Sequence, residues 1–141
     1  MKNGFKTKFL HVCATSTKAD NHDEGGSVVY PVSSIRSIGM GSMAETGVIS
    51  ASDTVYHIAL TPMCINSTAS GSAATAGDDV DVINVTMSTA NNAKFHMTEL
   101  IGKINSSRAT EAGFIDLFDG VNSTKFISDI SSVAVVKNNN S

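Results

Sequence analysis

Three well-separated stretches of this chain divide into two faces at a period of two, and only one stretch repeats at the helical period. From Phe5 to Ala14, one face carries Phe5, Thr7, Phe9, His11 and Cys13, and the other Lys6, Lys8, Leu10, Val12 and Ala14. From Thr54 to Thr61, Tyr56, Ile58 and Leu60 oppose Val55, His57 and Ala59. From Val80 to Met87, Ile83, Val85 and Met87 face inward while Asn84 and Thr86 face outward. Against these, Ala93, Met97, Leu100, Ile101 and Ile104 line one face of a helix over 92–106, with Asn91 or Asn92 to cap its start. Strands do not alternate with helices, so a parallel doubly wound fold is excluded. The pattern predicts an α+β domain, mainly antiparallel β, sandwich- or barrel-like with about six strands and one amphipathic helix. At 141 residues it reads as one domain over 1–141.

The segments between these elements carry their own punctuation. Val28 to Ile38 is extended but contains Pro31, which cannot donate to a ladder and favours an edge strand, a bulge or a strand start. Gly39-Met40-Gly41-Ser42 marks a turn or bulge. Residues 62–79 include a run of Ser, Thr, Ala and Gly from Ser67 to Gly77 with no large apolar anchor, which predicts a long mobile loop. Phe114 to Phe118 and Lys125 to Val136 read as a hairpin around Asp119-Gly120, where glycine accepts a positive φ. The continuous apolar run Val133 to Val136 predicts a central strand, and 137–141 a frayed tail.

Charge narrows the class of partner. Ten basic and thirteen acidic residues leave a net charge of −3, with no cationic run of the kind that releases phosphate counterions, so direct nucleic-acid binding is not expected. No apolar stretch is long enough for a membrane helix. The N-terminus has no apolar core for a signal peptide, so synthesis in a cytoplasm is expected. The sequons at Asn66, Asn84, Asn105 and Asn122 then follow from a chain in which Ser, Thr and Asn make up 43 residues. Cys13, inside an apolar alternation, reads as a buried thiol.

No spacing in the chain specifies chemistry. His11, Cys13, His57 and Cys64 lack the C-x₂₋₄-C spacing of structural zinc sites. The acidic loops Asp20-Asp23-Glu24 and Asp78-Asp79-Asp81 do not match a calcium loop. Neither a G-x-S-x-G elbow nor a G-x-x-x-x-G-K-[ST] phosphate loop occurs. Hence no catalytic residue, metal or cofactor is expected; a small metal-dependent enzyme stands as the reading from another class.

The positive signal is the outward strand positions, which are Ser, Thr, Asn and small residues. Free monomers usually defend strand edges with charge. A β-protein without that defence suits contact with copies of itself or with a lattice. The expected contacts are the acidic loop (Asp20, Asp23, Glu24), the edge at Tyr30 and Pro31, and an arm that orders on contact (Asn66, Ser70, Thr75).

With its small size, the segment Tyr30-Pro31-Val32-Ser33-Ser34, and the order strand–strand–strand–loop–strand–helix–hairpin ending in Phe114 to Gly120 and Lys125 to Val136, the chain resembles small, abundant virion proteins of tailed bacteriophages, especially those of marine and cyanobacterial hosts. The resemblance implies a non-enzymatic structural protein in the virion, partnered by copies of itself and by the major capsid or other virion proteins. It implies capsid decoration first and a tail-tube subunit stacking in rings second. It transfers no functional residue.

Overall fold

The three period-two stretches become three of ten strands in a computed structural model that describes residues 8–14, 26–44, 46–62, 80–105 and 114–136. In chain order these are β1 (Phe9–Cys13), β2 (Val28–Pro31), β3 (Ile35–Met40), β4 (Ser42–Met43), β5 (Ile49–Ser50), β6 (Val55–Leu60), β7 (Asp81–Met87), the helix α1 (Ala93–Asn105), β8 (Phe114–Asp119), β9 (Thr124–Lys125) and β10 (Ile130–Val136). Six strands have five or more residues, and the other four are short additions to them. One sheet runs β2-β1-β8-β9, a second β10-β7-β6-β3, and β4 pairs with β5 alone. Every ladder is antiparallel except β1 with β8. The fold is α+β and mostly antiparallel β.

Both sheets and the helix share one core. Leu10, Val12, Tyr30, Ile115 and Leu117 come from the first sheet; Tyr56, Ile58, Leu60, Ile83, Val85, Met87, Val133 and Val135 from the second; Ala93 and Leu100 from α1. Removing a side chain such as Leu100 from water contributes about 2 kcal/mol. Two polar ties span the layers. The Tyr30 hydroxyl donates to Asp81 Oδ2 at 2.6 Å, joining β2 to β7. Lys8 Nζ donates to the carbonyls of Lys103 and Ile104 at 2.9 Å each, setting a cation on the last turn of α1, where the helix dipole favours it.

Four expectations are corrected. Val28 to Ile38 is not one strand: β2 ends at Pro31, a one-turn 3-10 helix follows at Val32–Ser34, and the chain changes sheets. Pro31 still pairs with Phe9, and the Val32 N–H donates to the Lys8 carbonyl at 3.0 Å before the chain turns away. The segments after residue 114 do not form one hairpin. β8 lies between β1 and the short β9, its one antiparallel partner among the described residues, and β10 crosses to pair with β7 in the other sheet. In that connection Ser123, at φ 58°, takes the positive φ that was assigned to Gly120. Among the described residues β10 has a ladder on one side alone, which makes it an edge strand, not a central one. Its apolar run reads as continuous only because Ala134 is small; Val133 and Val135 are buried and Ala134 is exposed. Finally, the inward face of α1 includes the fully buried His96, while Ile101 is 46% exposed. At 100° per residue, Ile101 falls at the margin of the stripe centred on Leu100 and Ile104.

Candidate functional site

The outer face of the first sheet brings together His11, Ser27, Asp116 and Asp119. β1 and β8 pair with His11 opposite Asp116, then Val12 opposite Phe118 and Cys13 opposite Asp119, so Leu117 is an extra, bulged residue. In a regular strand residues i and i+3 point to opposite faces. The bulge removes that offset and turns both carboxylates toward His11. His11 Nδ1 lies 2.7 Å from Asp116 Oδ1, and Nε2 lies 3.1 Å from Ser27 Oγ. Phe114 stacks parallel to the His11 ring with centroids 6.2 Å apart.

Asp119 is itself held in an Asx turn. Its Oδ1 accepts from the backbone N–H of Val121 and Asn122 at 3.1 Å each, and Oδ2 accepts from Asn122 Nδ2 at 2.8 Å. Burial pushes this carboxyl up, but the hydrogen bonds from Asn122 and Val121 and the charge of His11 outweigh it and hold it below its usual value. The Ser27–His11–Asp116 order is one in which imidazole can accept a hydroxyl proton. Yet the Asp116 side chain is 43% exposed, so water screens the charge that would hold an imidazolium.

A second constellation is interior. The carboxylate of Asp129 only accepts, so His96 Nε2 donates to its Oδ2 at 3.0 Å. In the neutral ring Nδ1 then accepts from the Tyr56 hydroxyl at 3.1 Å. Asn92 Nδ2 and Thr89 Oγ1 also donate to Asp129, at 2.9 and 2.8 Å. These bonds from Asn92, His96 and Thr89 hold the Asp129 carboxyl at about 2, below the usual carboxylate range. Burial, with the nearby Asp129 charge, raises the Tyr56 phenol well above its ordinary value. The network pins α1 to the loop before β10, and its polar atoms are spent on one another.

The third feature is a surface. β10 is the outer strand of the second sheet, seven residues long, and none of its side chains is charged. Ser131, Ser132 and Ala134 are its exposed residues. Among the described residues its one ladder is with β7. The other edges are interrupted or guarded: β2 stops at Pro31, β9 is two residues with Lys125, and β3 carries Arg36 and ends at the Gly41 kink. On or beside the β4–β5 hairpin, Val48 is 63% and Ile49 53% exposed, with Met40 close by in sequence.

Of the expected contact residues, Tyr30 lies wholly in the core and presents no surface to a partner. This corrects the reading of its ring as an edge contact: β2 turns it inward opposite Leu10. Pro31 is half-buried at the end of β2. Asp20, Asp23, Glu24, Asn66, Ser70 and Thr75 lie outside the described residues, as do Cys64 and all of the expected loop over 62–79 except Pro62. Cys13 is buried. His57 is buried behind Gly39, with Nδ1 2.9 Å from the Gly41 carbonyl, and stands in the other sheet from His11. Asn84 spends its side-chain amide on the backbone N–H and carbonyl of Met43, at 2.9 and 3.1 Å, fixing β4 to the back of the second sheet. Sequence reasoning missed the His11–Asp116–Asp119 group. Its signal is two aspartates three apart in a strand, which converge only if a bulge lies between them.

Compared with protein-family models, curated proteins and solved structures, the chain gives no significant match.

Proposed function

We propose that this chain is a non-enzymatic structural protein of a phage virion, made in the host cytoplasm, that associates with copies of itself and binds the capsid lattice as a decoration, or cement, protein. The observation that carries the reading is β10: a long outer strand without a charged side chain. An outer strand presents unpaired N–H and C=O groups, and Lys, Pro or bulges normally protect it from pairing with other chains. Here the strand carries no Lys or Pro, its one register shift lies at its start between Ile130 and Ser132, and the small Ala134 is exposed beyond it. Two copies meeting at this strand bring no like charges together. The exposed Val48 and Ile49 add apolar area on the separate β4–β5 hairpin. Many such modest contacts around a lattice add up through avidity.

The test combines light scattering of the purified chain with heat stability of capsids carrying it. The native chain is expected to form oligomers and to raise the temperature at which capsids disrupt. Ala134→Lys places a charge on the β10 edge, and is expected to give monomers with an unchanged circular dichroism spectrum and to remove the protection. A monomeric native chain that leaves heated capsids unaffected overturns the proposal. Tubes of uniform bore in negative stain would replace capsid decoration by a tail-tube role.

A further inference from the structure

We propose that His11, Asp116 and Asp119 form a binding site for one divalent transition-metal ion of the Zn²⁺, Co²⁺ or Mn²⁺ type. The inference is independent of the assembly reading above. One ring nitrogen and one oxygen from each carboxylate all lie within 4.8 Å of one another, which a single ion can bridge with small side-chain movements. The donors stand on paired strands, β1 and β8, so the sheet holds their spacing. The Leu117 bulge is what turns two aspartates three residues apart to the same side.

The chemistry of the donors selects the ion. One imidazole nitrogen with two carboxylate oxygens suits borderline cations; Ca²⁺ and Mg²⁺ prefer sites made of oxygen alone. Three protein ligands leave at least one position for water. Two carboxylates directed at one point repel each other, and a dication removes that repulsion.

The supporting contacts are the kind that orient metal ligands. Asp119 is fixed by the N–H groups of Val121 and Asn122 and by the Asn122 amide. His11 has Nδ1 toward Asp116 and Nε2 toward Ser27. When Nδ1 takes the ion, the ring proton sits on Nε2 and is donated to Ser27 Oγ. A neutral ring therefore changes tautomer and releases no proton. Phe114, stacked on the ring, restrains its rotation.

The experiment is equilibrium dialysis and calorimetry with Zn²⁺ on the chelator-stripped full chain, followed by Co²⁺ absorption spectroscopy. One equivalent of Zn²⁺ per chain is expected, with a rise in melting temperature that Mg²⁺ does not produce. His11→Ala and Asp116→Asn are each expected to abolish stoichiometric binding and the visible Co²⁺ bands. Ser27→Ala is expected to weaken affinity by on the order of 10-fold to 100-fold while keeping the stoichiometry. Asp116 is half-exposed, so its asparagine variant folds even where His11→Ala does not. Absence of stoichiometric Zn²⁺ on the native chain overturns the proposal. So does binding that the folded Asp116→Asn variant retains in full, since the ion then sits on other ligands.

Discussion

Two glycines of this chain predict opposite responses to the same added methyl group. Gly41 holds φ +92°, and a Cβ there would sit 2.6 Å from the Ser50 carbonyl oxygen. Gly41→Ala therefore strains the backbone and pushes β5 from β4, and is expected to lower unfolding free energy by about 1–3 kcal/mol in urea titration. Gly102 lies in α1 with nothing within 4 Å of its absent side chain. Gly102→Ala restricts the unfolded chain without a clash, and is expected to raise stability by about 0.5–1 kcal/mol in the same measurement. In the sequence, both are glycines in or beside regular elements. Gly41 could be suspected from its place in Gly39-Met40-Gly41-Ser42, but the atom it must avoid belongs to a residue nine positions on.

At the scale of the element, α1 depends on a polar tie as well as its apolar stripe. Asp129 anchors Asn92 and His96 to the loop before β10, and its carboxyl is held at about 2 in the folded chain against an ordinary value of 3.8. A depressed carboxyl pKa stabilises the fold above the unfolded value and loses that contribution as pH falls through the folded one. Acid titration followed by circular dichroism is thus expected to loosen α1 between pH about 4 and about 2. Asp129→Asn is expected to be less stable at neutral pH and to show a flatter acid profile; an unchanged profile would remove Asp129 from the helix anchor. The existence of α1 was legible, because a 3.6-residue apolar period over thirteen residues has no strand equivalent. The place of His96 was not. A pattern that counts apolar residues assigns a histidine to the wet side, whereas Tyr56 and Asp129 satisfy both of its nitrogens inside.

Across the whole molecule, the two sheets are joined by packing and by the Tyr30–Asp81 hydrogen bond. Burial, then the hydrogen bond and charge of Asp81, push the Tyr30 phenol far above its ordinary value, so the hydroxyl stays a donor throughout the neutral range. Tyr30→Phe keeps the ring and removes the donor to a buried carboxylate. It is expected to cost about 1–3 kcal/mol in chemical denaturation, with little change in the spectrum of either sheet. Period-two alternation and the helix are local properties of neighbouring side chains and backbone, and the sequence alone determined them. Which strands pair is not local. The assignment of β10 to a sheet edge, the parallel β1–β8 ladder, and the bulge that gathers His11, Asp116 and Asp119 were decided by tertiary structure. Each depends on register between segments about a hundred residues apart for β1 and β8, or on which backbone remains unpaired once the core is filled.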